Sequence, residues 1–182
     1  MKRMVIAGAV ALGIAAGGAQ AQMAEFGSDA DAEYATLIWQ AMEALKLAGD
    51  DMIYAVPYEG TEPHGMMLET FYTTATIKGH TGDLIVKRNY GPAGVSADEV
   101  LSDPGKHLGA VTVMFRREKG FDADNQDWFW VKYLPDGTLD MNPKGMRLAG
   151  RVAKGADAGC IACHSGEDDY VFTTNATLNA MK

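Results

Sequence analysis

Cysteine is almost absent, with two residues in a chain of 182, so at most one disulfide could form and a multi-bridge scaffold is excluded. Basic side chains are also in short supply. Sixteen Lys and Arg face 24 Asp and Glu, a net charge of −8, which argues against nucleic acid or an anionic membrane as partner. There is no internal repeat, no low-complexity tract and no hydrophobic run outside the N-terminus. That run, Met4 to about Ala16, is rich in Gly and Ala and falls short of the roughly 20 strongly apolar residues that a membrane span needs.

The N-terminus reads as a secretory signal peptide. Lys2 and Arg3 precede the apolar stretch, and Ala19-Gln20-Ala21 supplies the small-residue cleavage pattern. Cleavage after residue 21 would leave residues 22–182 as a single domain in the periplasm, with no membrane attachment. It would take the net charge from −8 to −10. An acidic surface of this kind suits a basic redox partner protein.

The two cysteines stand together in Cys160-Ile161-Ala162-Cys163-His164. C-x-x-C-H is the attachment signature of haem c. Two thiols bond to the two porphyrin vinyl groups, and the two residues between them let both sulfurs reach the macrocycle from one turn. The adjoining histidine then lies under the iron as its proximal ligand. The competing reading is a dithiol pair or a disulfide in an oxidising compartment, and His164 favours haem. Export and motif support one another, because haem is joined to this motif outside the bacterial inner membrane. Cys160, Cys163 and His164 are therefore the cofactor-binding residues, and His164 is the metal ligand.

Hydrophobic patterning predicts an α+β fold, mainly an antiparallel β-sheet with an N-terminal helix and a C-terminal haem-binding segment. Tyr34, Leu37, Ile38, Ala41 and Leu45 fall at helical spacing, in a helix capped by Ser28 or Asp29 and running to about Ala48 before Gly49. Leu68–Ile77, Asp83–Tyr90, Ala110–Arg117 and Asp127–Tyr133 are β-branched or aromatic runs. Gly79-His80-Thr81-Gly82, Asp103-Pro104-Gly105 and Pro135-Asp136-Gly137 read as turns, and Gly91-Pro92-Ala93-Gly94 opens a surface loop. Residues 142–159 read as a loop leading into the haem motif. Alternation puts Trp128 and Trp130 on one sheet face and Phe129 on the other.

Only 18 residues follow His164, and Met181 is the one methionine among them. His64, His80 and His107 each sit beside Gly or in a turn-like stretch and read as solvated loop histidines. The expectation is a five-coordinate haem with an open distal face, which binds small ligands or does chemistry, rather than a six-coordinate electron carrier.

Several blocks together resemble the cytochrome P-460 family. They are the late C-x-x-C-H with Asp169-Tyr170-Val171-Phe172-Thr173 behind it, the strand Gly82–Tyr90 containing Val86-Lys87, and the run from Val113 through Asp127-Trp128-Phe129-Trp130 to the Pro135-Asp136-Gly137 turn. The resemblance spans roughly Pro63 to Thr173. It implies a homodimer and, at Lys87, the lysine that hydroxylamine-oxidising members bond to a meso carbon of the haem. Lys87 is thus both a catalytic and a cofactor-binding candidate. Relatives without that bond bind nitric oxide or carbon monoxide in an apolar pocket. Two departures stand out. Thr112 lies near the position where oxidising members carry a distal carboxylate, Glu118 being several residues out of place, and Arg88 replaces a frequent Glu. Phe71, Tyr72, Phe115, Trp128, Phe129 and Trp130 are the aromatics that could line the pocket. Two functions follow: redox chemistry on, or binding of, small nitrogen species such as hydroxylamine and nitric oxide, or electron transfer or gas binding without turnover.

Overall fold

The computed structural model describes residues 26–173, so the signal-peptide reading of 1–21 and Met181 lie outside the described residues. The fold is α+β. A six-stranded sheet runs in the order β1 to β6 with every neighbouring pair antiparallel. Its strands are β1 (Tyr58–Glu59), β2 (Met67–Ile77), β3 (His80–Tyr90), β4 (Leu108–Arg116), β5 (Trp128–Tyr133) and β6 (Ala149–Gly150). Four helices accompany them: α1 (Asp29–Ala44), α2 (Ala97–Ser102), α3 (Pro104–His107) and α4 (Cys160–His164).

Helix α1 begins where its capping chemistry dictates. The Ser28 hydroxyl accepts from the Asp31 N–H while the Asp31 carboxylate accepts from the Ser28 N–H, so two orphan donors are satisfied reciprocally. The helix stops at Ala44, earlier than expected, and Leu45 becomes its exposed C-cap. Tyr34, Ile38 and Met42, four residues apart, carry the buried stripe together with Ala35. They pack against Leu84 and Val86 of β3, Val111, Val113 and Phe115 of β4, and Phe129 and Val131 of β5.

Alternation sends the intervening residues to the opposite face. Ile85, Met114, Trp128 and Trp130 form a second apolar cluster there with Val152 and Ile161. The C-terminal segment lies on this face. Trp128 and Trp130 share it, and Phe129 packs under α1, as the alternation predicts.

Three local expectations are corrected. The β2–β3 connection is a two-residue turn, Lys78-Gly79, with Ile77 paired to His80. Both turn residues have positive φ, +50° and +82°. Such a turn matches the twist of the flanking strands, so His80–Gly82 belong to β3. The region after Gly94 is not simple loop but holds α2, capped by Ser96 through a capping box with Glu99. Asp103-Pro104-Gly105 initiates the one-turn α3 instead of a free turn.

Arg88 points away from Lys87, under the 47–55 segment. It is fully buried and donates to the carbonyls of Ile53 at 2.6 Å and Leu47 at 2.9 Å and to the Glu69 carboxylate at 3.0 Å. Glu69 also accepts from the Ala55 N–H and the Tyr90 hydroxyl.

Candidate functional site

The Cys160–His164 motif forms α4, entered through Gly159, whose φ of +121° and 2.5 Å approach of a would-be Cβ to the Ala153 Cβ leave room only for glycine. One turn of helix puts His164 inward, where it is buried, and leaves Cys163 exposed and Cys160 partly covered. Both thiols are free. Burial pushes the Cys160 thiol up.

His164 sits in an aromatic enclosure. Trp130 of β5 meets its ring edge-on at 4.8 Å between centroids, and Phe172 does so at 4.9 Å from the other segment of the C-terminal tail. Its Nδ1 lies 2.8 Å from the Tyr170 carbonyl oxygen, which can only accept. Nδ1 is therefore the protonated nitrogen, and Nε2 holds its lone pair free. Metal-ligating histidines are commonly oriented by this kind of bond. Burial lowers the His164 pKa; the Tyr170 carbonyl opposes this and the nearby Lys87 charge adds to it.

The Asp169–Thr173 tail straps this arrangement to the sheet. The Trp128 indole N–H donates to the Asp169 carbonyl at 2.9 Å, the Tyr72 hydroxyl to the Phe172 carbonyl at 2.8 Å, and Arg116 pairs with the Asp169 carboxylate. Asp169 and Tyr170 both adopt positive φ, +53° and +63°, a conformation costly for non-glycine residues that orients the carbonyls toward these donors.

Lys87 projects from β3 onto the same face. Its register partners are Thr70 on β2 and Thr112 on β4, and Lys132 of β5 stands opposite Thr112. Burial lowers the Lys87 pKa, favouring the neutral amine. Its charge in turn depresses both His64 and His164, so the three groups share one neighbourhood.

His64 corrects the sequence reading. It is not a solvated loop histidine: its ring centre lies 6.2 Å from that of His164, with the planes at 82°. Its pKa falls to about 4, chiefly through burial and secondarily through Lys87, while the Asn89 hydrogen bond pulls the other way. Neither His80 nor His107 joins this cluster. His80 is bonded through Nε2 to the Arg116 carbonyl and His107 through Nδ1 to that of Gly91. A cavity of about 340 Å³ opens beside His64, with Asn89, Thr112, Lys132 and Glu62 among its lining residues.

Of the residues read from sequence, Lys87 and His164 come together, and α4 brings Cys160 and Cys163 with them. Thr112 faces the site and accepts from the Asn89 amide. Glu118 is exposed and paired to Arg117. Tyr72 and Trp130 reach the site face, whereas Phe71, Phe115 and Phe129 belong to the α1 side. His64 and Asn89 were missed. For Asn89, the signal was its place two residues beyond Lys87 on one strand, hence on the same face.

Comparison with protein-family models, curated proteins and solved structures found no match to this chain.

Two observations are compatible with a haem here. The Trp130 indole nitrogen is buried with no hydrogen-bond partner among the described residues. Phe172 packs on His164 yet stays 41% exposed. A porphyrin supplies its own four nitrogens, so one or two histidines suffice for haem iron.

Proposed function

We propose that this chain is a periplasmic mono-haem c-type cytochrome, of cytochrome P-460 type, that binds small nitrogen species such as nitric oxide or hydroxylamine or does redox chemistry on them. The observation that carries the reading is His164: it adjoins the cysteine pair, is buried between Trp130 and Phe172, and is fixed through Nδ1 so that Nε2 is free. Cys160 and Cys163 would hold the macrocycle and His164 the iron. Bound haem supplies a one-electron couple and a coordination site for small ligands.

The chain's own residues shape what that site admits. Trp130 and Phe172 pack edge-on against the His164 ring. The Tyr170 carbonyl keeps the Nδ1 proton in place. Lys87, whose pKa is lowered by burial, is the residue that would form the additional haem bond. Because Thr112 supplies no carboxylate, a general base of the kind worth roughly 10²–10⁴ in rate is missing at that position. Binding is therefore favoured over rapid hydroxylamine turnover. The electron-transfer reading draws support from one specific observation, the ring of His64 facing that of His164.

Adding nitric oxide or carbon monoxide to the reduced, haem-loaded protein tests the ligand-binding reading. A Soret shift that saturates with ligand supports it. A spectrum unchanged at saturating gas leaves electron transfer as the function.

A further inference from the structure

The haem-site reading has one consequence for His64, and the inference rests on that reading. We propose that His64 is the second protein ligand of the haem iron, on the side opposite His164, and that a small ligand enters only by displacing it.

Spacing is the first support. With a metal–imidazole nitrogen bond of about 2.0 Å and a ring nitrogen about 1.1 Å from its centroid, two coaxial rings on one metal stand about 6.2 Å apart. His64 and His164 are 6.2 Å apart between centroids. Edge-to-face attraction alone also places ring pairs at about 4.5–7 Å, so spacing does not decide the matter.

The tautomer is the second support. The Asn89 amide nitrogen donates to the Lys87 carbonyl at 3.0 Å, the Ala110 carbonyl at 3.2 Å and the Thr112 hydroxyl at 3.2 Å. Two of these are carbonyl oxygens that can only accept, which fixes the amide orientation and makes Oδ1 the acceptor. The His64 Nδ1, 3.0 Å from that oxygen, must then donate. Its Nε2 is left with a free lone pair. His164 is set the same way by the Tyr170 carbonyl. A buried imidazole and a half-buried one are thus each anchored through Nδ1 to a fixed acceptor, with no hydrogen bond on either Nε2 among the described residues. A ligating histidine commonly orients itself through one ring nitrogen and leaves the other for the metal.

The backbone fixes His64 in place. Gly65 lies so close to β3 that a Cβ there would stand 2.5 Å from the Tyr90 carbonyl oxygen and 2.6 Å from its nitrogen. Its N–H also points to the Asn89 Oδ1 at 3.4 Å. The loop that carries His64 is therefore seated on the strand that carries Lys87 and Asn89.

The test uses the full haem-loaded protein and compares wild type, His64→Ala and His64→Phe by absorption and electron paramagnetic resonance, with intact mass read on the same samples. The expected result is a low-spin ferric haem in wild type and a high-spin haem in both variants, with millimolar imidazole restoring the low-spin state in His64→Ala. Carbon monoxide should bind reduced His64→Ala about ten-fold faster or more, since the competent state no longer has to be populated first. If His64→Ala does not accumulate, His64→Phe, which keeps the bulk, carries the comparison. A wild-type haem that is high-spin, or a low-spin spectrum that survives both substitutions with haem mass retained, overturns the role of His64 alone. Absence of covalent haem in wild type overturns the underlying reading as well.

Discussion

Replacing Arg88 by Met tests how the sheet face opposite the site is held. The guanidinium is fully buried and Glu69 is 1% exposed, so truncation leaves a carboxylate in the core without its cation. Breaking a buried pair from one side costs about 3–5 kcal/mol. Here the substitution also strips the Leu47 and Ile53 carbonyls of their donor, placing the loss toward the upper end of that range. At about 2–4 °C per kcal/mol for a chain of this size, the melting temperature should drop by roughly 6–20 °C. The assay is thermal and denaturant unfolding of Arg88→Met, Glu69→Met and the double variant. The double variant should lose less than the two singles combined, by about 1–3 kcal/mol, because the orphaned charge disappears. A single loss below about 1 kcal/mol, or strict additivity, would refute the reasoning. The haem spectrum should not change, because Arg88 and Lys87 lie on opposite faces.

Tryptic mapping of haem-loaded protein should find the Lys87 peptide co-migrating with haem and the Cys160–His164 peptide, and Lys87→Ala should abolish that linkage and any red-shifted band; a freely released Lys87 peptide places the protein with the ligand-binding relatives. Gly65→Ala should cost about 1–3 kcal/mol by overpacking against Tyr90 and should also raise the high-spin fraction, both measurable on one sample. Ser28→Ala removes the α1 cap and should cost about 1 kcal/mol in denaturant unfolding with no spectral change.

Periodicity made the sheet legible. Residues alternating on β3 to β5 divide between the two apolar clusters as their spacing requires, so Trp128 and Trp130 could be placed on one face and Phe129 on the other before any coordinates; that Lys87 shares the tryptophan face needed the cross-strand register. Turn detail was less legible. Gly79-His80-Thr81-Gly82 contains the right glycine, but cross-strand pairing of Ile77 with His80 tightens the turn to two residues. Helix α2 carried its capping box, Ser96 and Glu99, yet at six residues it has too few apolar positions for a periodic stripe. His64 was illegible for a different reason. Nothing near it in sequence marks it, and its role comes from Asn89, 25 residues away, and His164, 100 residues away. The Tyr170 carbonyl is a backbone group with no sequence signature at all, although the D-Y-V-F-T block that presents it stood out.

The central claim is tested most directly by the intact mass of protein exported to a periplasm with an active c-type haem maturation system. The expected mass is that of a chain shortened by its first 21 residues and carrying one haem that survives acid–acetone extraction, with Cys160→Ser/Cys163→Ser losing it. A mass equal to the bare polypeptide, or a haem that extracts freely, would contradict it.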